Sequence, residues 1–463
     1  MARGRLLLRN IYHLAVGDDA NTRLRGVDLL VDGSRIADIG PSLPRGEAEV
    51  IDASTKLVIP GLVNTHHHMY QTLQRNLPAV QNAGLFDWLK GLYPIWRYLT
   101  AEVVSVSTQL ACAELLKTGC TTTSDHHYIF PAGVTEDLIG LQVQAALETG
   151  IRICTSRGSM SRGESQGGLP PDSVVQDERT ILEDSARVIA AYHDPSPFSR
   201  QRVALAPCSP FSVTEKLMAE SAALARRHGV RLHTHLAETL DEETYCVERY
   251  GCRPLALMER VGWLGPDVWF AHGIHFDDAE LEVLARTGTG VAHCPSSNMR
   301  LGSGICRVPE LLARGVRVGL AVDGSASNDS SNMLGELRSC LLVHRVHGTP
   351  AAMTADLALR LATRGSAELL GWERLGTLAV GQAADLALVE MKRLDYAGAL
   401  SDPLAAAVFA GISHNVHTTI VDGKVVVSGG RLVCLDEDAL RDRANALSKR
   451  MLEQAGHSTK WML

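Results

Sequence analysis

The stretch NTHHHMYQ, Asn64 to Gln71, sets three histidines directly behind the apolar run KLVIPGLV. Side chains two apart on an extended strand share a direction. His66 and His68 therefore point one way and His67 the other, so one strand end offers two imidazoles to a single cation. Other strand-like segments end in residues of the same kind: RLHTHLAE supplies His235, and RVGLAVDGSASND supplies Asp323. Three histidines and one carboxylate suit Zn2+ or Fe2+, with a position left open for water. Any one of the 18 histidines is more readily a hydrogen-bonded core or surface residue. It is the recurrence of such residues at matching strand ends that points to a metal site.

Residues this far apart can meet only if the fold gathers strand ends. Eight short apolar segments can be read, at 56–68, 120–127, 152–160, 202–210, 231–238, 268–275, 290–298 and 317–329. They alternate with helical stretches such as TAEVVSVSTQLACAELLKTG and TEKLMAESAALARRHG. Continuous apolar runs are strands buried on both faces, covered by helices. Eight βα units predict an α/β fold of the (β/α)8 TIM-barrel type, whose strand C-termini share one face. In seven of the eight segments the apolar run ends in His, Asp, Cys or Ser.

The two chain ends have a different texture. VDGSRIADIG reads as a hairpin at Asp32-Gly33, and HTTIVDGKVVVSGGRLV as one at Asp422-Gly423. Neither end has enough strands to bury a face alone. The expectation is one smaller β-sandwich domain built from residues 1–58 and 371–463, flanking a barrel over 59–370. The polar, Gly/Pro-rich piece SRGESQGGLPPDSVVQDE (161–178) is expected to be a long loop over the barrel mouth.

Bulk properties narrow the function classes. With 45 basic and 52 acidic residues the net charge is −7, which speaks against a nucleic-acid footprint. No stretch approaches the apolar length needed to span a bilayer, and the start lacks a signal-type apolar core. The ten cysteines form no CxxC pair and fit reduced thiols in a cytoplasmic protein rather than a disulfide framework. A small-molecule substrate is the remaining class of partner.

The motifs PGLVNTHHH, HTHLAE, AHG, HCPSSN and VDGSASND, in that order, resemble the amidohydrolase superfamily in its branch acting on nucleobases and related heterocycles. The similarity runs the length of the chain and includes GTLAVGQAADLALVE. The stretches HHHMYQTLQRNLPAVQNAGLFDWLKGLYPIW, SRGSMSRGESQGGLPPDSVV and APCSPFSV resemble bacterial 8-oxoguanine deaminases, with triazine hydrolases and isoxanthopterin deaminases as near neighbours. The resemblance implies His66, His68, His235 and Asp323 as metal ligands, and Glu238, His272 and Asp323 as catalytic residues. Two-metal relatives carry a modified lysine at the fourth strand end; RVALAPCSP has none, so a single divalent ion is expected, zinc or else iron. The implied reaction is hydrolytic deamination, 8-oxoguanine and water giving urate and ammonia. Guanine, isoxanthopterin, isocytosine or an amino-triazine are alternative substrates, and a non-catalytic scaffold on the same fold is a remote one.

A metal acidifies its bound water, and Glu238, three residues past His235, would carry the proton to the ring nitrogen. His272 would orient or polarise the nucleophile, and Asp323 would relay a proton to the departing amine. Gln71 has an amide that can both donate and accept, as the lactam edge of a purine requires. Trp88 or Trp96 could stack on a flat ring, and Cys208 ends the fourth strand near the mouth. Asn298 and His293, with Arg157 and Ser159, read as supports. His126, His127 and His275 read as structural. The resemblance also implies a homo-oligomer.

Overall fold

The computed structural model describes residues 4–410, 415–460 and 462; residues 1–3, 411–414, 461 and 463 of the two expected β segments lie outside these. Eight parallel strands form the centre: β1 (Leu62–Asn64), β2 (Cys120–His127), β3 (Arg152–Ser159), β4 (Gln201–Pro207), β5 (Arg231–Leu236), β6 (Val268–His272), β7 (Gly290–His293) and β8 (Val318–Leu320). Each pairs with its neighbour in chain order. The seam between β8 and β1 is closed by Thr65 N–H to Leu320 O at 3.2 Å and Asp323 N–H to His66 O at 3.1 Å. The fold is thus the (β/α)8 barrel expected. β2 and β3 are buried along their whole length, as strands packed on both faces must be.

The expected segment 56–68 is two strands rather than one. Lys56–Pro60 pairs antiparallel with Leu386–Glu390 in a seven-stranded sheet that joins the two chain ends. Gly61 then turns the chain into the barrel: a Cβ there would lie 2.3 Å from the Thr121 side chain, so only glycine permits that approach. A four-stranded sheet of Arg35–Gly40, Val27–Asp32, Arg5–Ile11 and Glu49–Asp52 packs with it over one apolar core that includes Leu8, Val58, Leu388 and Ile420. The second hairpin turns at Asp422 and Gly423, with φ of 53° and 71°. The first turns one residue later than Asp32-Gly33, at Gly33-Ser34, because Asp32 still pairs with Arg35.

Helices cover the barrel where helical patterning places them. Ala101–Lys117 and Glu215–His228 are each capped by a threonine, Thr100 accepting from Val103 N–H and Thr214 from Leu217 N–H. The barrel floor is tied to the terminal sheets by Arg152. This fully buried guanidinium grips Asp385 with two bonds, of 2.8 and 3.0 Å, and Asp422 with one of 3.2 Å. Among the described residues no helix is long and apolar enough to cross a membrane.

Candidate active site

His66 and His68 follow β1, His235 lies in β5 and Asp323 lies just past β8. Ligand atoms of His66, His68, His235 and His126 lie within 4.8 Å of one another, and Asp323 reaches His66 and His68. His68 Nε2 is 3.0 Å from His235 Nε2, and Asp323 Oδ1 is 3.2 Å from His66 Nε2 and 3.4 Å from His68 Nε2. The opposite edge of each ring is already committed. His68 Nδ1 donates to His126 O at 2.8 Å, and His235 Nδ1 to Cys208 O at 2.6 Å. His66 Nδ1 lies 2.7 Å from His233 Nε2, while His233 Nδ1 donates to Trp269 O at 2.9 Å. His233 Nε2 is therefore an acceptor and His66 Nδ1 the donor. All three tautomers are fixed, with the Nε2 lone pairs facing inward.

Burial, the largest cause, keeps His66, His68 and His235 well disposed against protonation, each pKa lying below its ordinary value. Three neutral lone pairs and a carboxylate cannot satisfy one another at these distances. A divalent cation does satisfy them, and rings held from behind by hydrogen bonds are the usual setting of metal-bound histidine. Asp323 is held as well: Oδ2 accepts from Ser297 Oγ at 2.6 Å and Ser327 Oγ at 3.1 Å. Burial pushes its pKa up, but His66, His272 and His68 outweigh this and hold it well below the usual range.

The catalytic candidates stand beside this cluster. His272 ends β6 at φ 71°, Asp323 follows β8 at φ 65°, and Ala237, next to Glu238, lies at φ 53°. Non-glycine residues occupy this left-handed region rarely, and functional sites are where such strain is stored. Glu238 Oε2 lies 3.5 Å from His272 Nε2. Burial raises the Glu238 pKa to about 7, a value suited to exchanging protons at neutral pH. Burial depresses His272, but Glu238 and Asp323 more than compensate and its pKa is raised. Asn298 Oδ1 accepts from His272 Nδ1 at 2.8 Å and so aims Nε2 at Glu238.

A cavity opens onto these groups. It is lined by His68, His235, Glu238, His272 and Asp323 below, and by Gln71, Trp88, Tyr93, Tyr128, Cys208 and Phe211 around the sides. Gln71 is fully buried, and neither amide atom has a hydrogen-bond partner among the described residues. Gly324 makes room for it, since a Cβ there would stand 1.9 Å from Gln71 Oε1. Trp88 reaches the cavity and donates Nε1–H to Ala326 O at 3.3 Å. Trp96 sits one layer behind, edge-on to Trp88 and Tyr70. Cys208 lies 3.8 Å from His235 Nδ1 through its sulfur.

Other expected residues fall outside the lining. Arg157 turns away to Asp184 at 2.6 Å and Gln176 at 2.9 Å, and Ser159 is buried nearby. His67 points away from the cluster, to Ser331 Oγ at 3.0 Å. His275 bonds Ser303 O, and His127 is buried beside Phe130. His126 stacks on His235 with centroids 4.8 Å apart and donates Nε2–H to Ala206 O. The loop 161–178 is tied to the segment after β4 through Ser161 N–H and Arg162 N–H to Ser212 O and Leu169 N–H to Phe211 O. None of residues 161–178 lines the cavity, whereas helix α1 (Leu85–Trp96) supplies Leu85, Trp88, Leu89 and Tyr93.

Two residues of evident importance are absent from the sequence reading. His233 is one; the HTH spacing of two already placed it on the same side of β5 as His235. Glu242 is the other. It begins the helix α2 (Leu240–Tyr250), is fully buried, and accepts from Ala237 N–H and Glu238 N–H, both at 3.0 Å. It therefore fixes the strained loop that carries Glu238. Nothing in a pattern of acidic residues at a helix start distinguishes this one from a solvated neighbour.

A barrel that gathers three histidines and an aspartate at its strand ends, beside a buried Glu–His pair, is the frame of a hydrolase. The Amidohydrolase family signature matches residues 57–426, and the chain belongs to that family. It is 49% identical over 427 residues to 8-oxoguanine deaminase of Pseudomonas aeruginosa, covering 92% of this chain and 94% of that one. It is 40% identical over 464 residues to hydroxydechloroatrazine ethylaminohydrolase of Pseudomonas sp. strain ADP, covering 96% and 95%. Among solved structures, the zinc complex of atrazine chlorohydrolase from Arthrobacter aurescens TC1 superposes with a TM-score of 0.92 at 33% identity, covering 96% of this chain and all of that one.

Proposed function

We propose that the protein is a mononuclear metal-dependent aminohydrolase that removes the exocyclic amino group of a purine-like lactam, with 8-oxoguanine as the substrate to test first. The observation that carries this reading is the set of three imidazoles whose tautomers are locked with Nε2 facing Asp323 Oδ1, beside Glu238 and His272. His66, His68, His235 and Asp323 would hold one divalent ion, zinc or iron, and that ion supplies a water acidified from a pKa of about 15.7 towards about 7.

The chain's own groups do the rest. Glu238, ionised, takes a proton from the attacking water and delivers it to the ring nitrogen next to the amino-bearing carbon. His272, charged or hydrogen-bonded through Nε2, stabilises negative charge on the nucleophile's side. Asp323 passes the second proton to the amine, which leaves as ammonia and leaves a carbonyl on the ring. Gln71 offers its unpartnered donor and acceptor to the lactam edge, and Trp88 and the cavity's other aromatic side chains bracket a flat ring. A site with buried polar groups discriminates strongly against rings that leave them unpaired.

The relative named 8-oxoguanine deaminase supports this substrate over others. The 40% identity to an ethylaminohydrolase of a hydroxytriazine favours, as a second reading, an amino-substituted hydroxytriazine on the same site. Ammonia release from the metal-loaded protein, measured across 8-oxoguanine, isocytosine, guanine, isoxanthopterin and an aminohydroxytriazine, separates them. Turnover of 8-oxoguanine with the highest kcat/KM supports the first reading, and turnover of the triazine alone supports the second. A protein that holds its metal and deaminates none of the panel refutes both.

A further inference from the structure

A second group of metal-binding side chains lies away from the cluster just described. His293 closes β7, while Cys340 and His344 stand one turn apart on helix α5 of the barrel's outer layer, counted here after α1 and α2, the short α3 (Pro295–Arg300) and α4 (Ser325–Asn328); α5 spans Met333–His347. One ligand atom from each of the three lies within 4.8 Å of the other two. All three residues are buried, none above 1% exposed. His293 Nε2 and His344 Nε2 are 3.2 Å apart. His293 Nδ1 is buried without a partner among the described residues, so nothing behind the ring fixes its tautomer and Nε2 is free to present a lone pair.

A hydrogen bond between the two imidazoles is the simpler arrangement, but it leaves His293 Nδ1 unpartnered in either tautomer and gives no role to a thiol set against both rings. We propose that His293, Cys340 and His344 form a second, structural metal site of the zinc type, separate from the catalytic one. A thiolate and two imidazoles supply three of the four ligands zinc takes, at bonds of about 2.0–2.3 Å, and leave the fourth position to water. Buried imidazoles are already neutral, as ligands must be, since burial holds His293 well below and His344 at about 4. Burial raises the Cys340 thiol pKa, so the ion must displace that one proton, which passes to solvent.

The site would pin strand to helix at a consequential place. Glu336 lies one turn before Cys340 on the same face of α5, and accepts from Ser296 N–H at 3.2 Å and Asn328 Nδ2 at 2.8 Å. Ser297 and Ser327, their chain neighbours, are the two hydroxyls that hold Asp323. An ion at Cys340 therefore braces the segment that orients a catalytic carboxylate, without touching it.

The test is titration of Co2+ into the chelator-stripped full chain, following thiolate-to-cobalt charge-transfer absorption together with bound metal per chain. The expected result is two ions per chain and a thiolate band that develops with one of them. C340S should abolish the band and lower the stoichiometry to one, H344Q should weaken binding at this site, and C208S, altering the cysteine beside the catalytic cluster, should keep the band. The wild-type titration decides without any variant: saturation at one ion with no thiolate band overturns the proposal. So does a band that survives C340S or disappears with C208S. Failure here leaves the catalytic site untouched, because that site contributes no sulfur ligand to the proposed reaction.

Discussion

Replacing Glu238 by glutamine keeps the shape of the side chain and removes only its ability to exchange a proton. The carboxylate is buried, 3.5 Å from His272 Nε2, and is not among the four groups proposed to hold the ion. Loss of a general acid/base typically costs roughly 10²–10⁴-fold, which is about 3–5 kcal/mol of barrier. In the metal-loaded enzyme kcat for ammonia release should fall by that factor with bound metal unchanged. The wild-type profile should rise with pH as Glu238 ionises, and that limb should vanish in the variant. A second consequence appears in the metal-free protein, where burial raises the Glu238 pKa from 4.5 to about 7. The unfolded chain ionises this group above about pH 4.5, whereas the fold resists doing so until about 7, so folded stability is eroded as pH rises through that window. The penalty is on the order of 3 kcal/mol above pH 7. Metal-free E238Q should therefore be more stable than wild type at pH 8 and no more stable at pH 4, by denaturant unfolding. If E238Q retains activity within about threefold of wild type, or keeps the same pH limb, Glu238 is not the proton carrier.

His235→Ala should lower bound metal by one ion per chain and abolish ammonia release while the far-ultraviolet dichroism remains native, since the ring is one of the four proposed ligands. His233→Phe keeps every proposed ligand but takes away the acceptor behind His66. Chelator competition should show metal affinity reduced by about 10–100-fold, with little change in kcat at saturating metal. Gly324→Ala drives a Cβ into the Gln71 amide, so KM should rise roughly tenfold, the lower end of what one displaced contact is worth, and Gln71→Ala should add nothing to it. Glu242→Ala strands two buried N–H groups, each costing about 1–3 kcal/mol; lower thermal stability and a fall in kcat larger than any rise in KM should accompany each other.

The strand-end positions of His66, His68, His235 and Asp323 were legible because period-two alternation and apolar runs report a barrel strand directly. So were the helices at 101–117 and 215–228, long runs without proline or glycine that start behind threonine caps. What closes over the barrel was not. No local pattern says that Leu85–Trp96 lines the cavity while 161–178 does not, because that choice rests on contacts such as Trp88 to Ala326, 238 positions apart. Trp88 and Trp96 were indistinguishable for the same reason, both being aromatic residues of one helix with different depths. His233 was hidden by His235: the residue that grips a metal draws notice, whereas the one that fixes its partner's tautomer is defined only by a ring 167 positions away. The 56–68 segment reads as one strand because apolar residues flank Pro60-Gly61 on both sides, yet that Pro-Gly pair is a breaker signal and is where the chain passes from the terminal sheet to the barrel.

Anomalous diffraction at the metal edge, from crystals of the metal-loaded protein, tests the central claim most directly. The account predicts a peak bonded to His66 Nε2, His68 Nε2, His235 Nε2 and an Asp323 oxygen at about 2.0–2.2 Å, with His233 still behind His66. A protein that deaminates its substrate with no ion among those four groups, or with the ion held by other side chains, would contradict it.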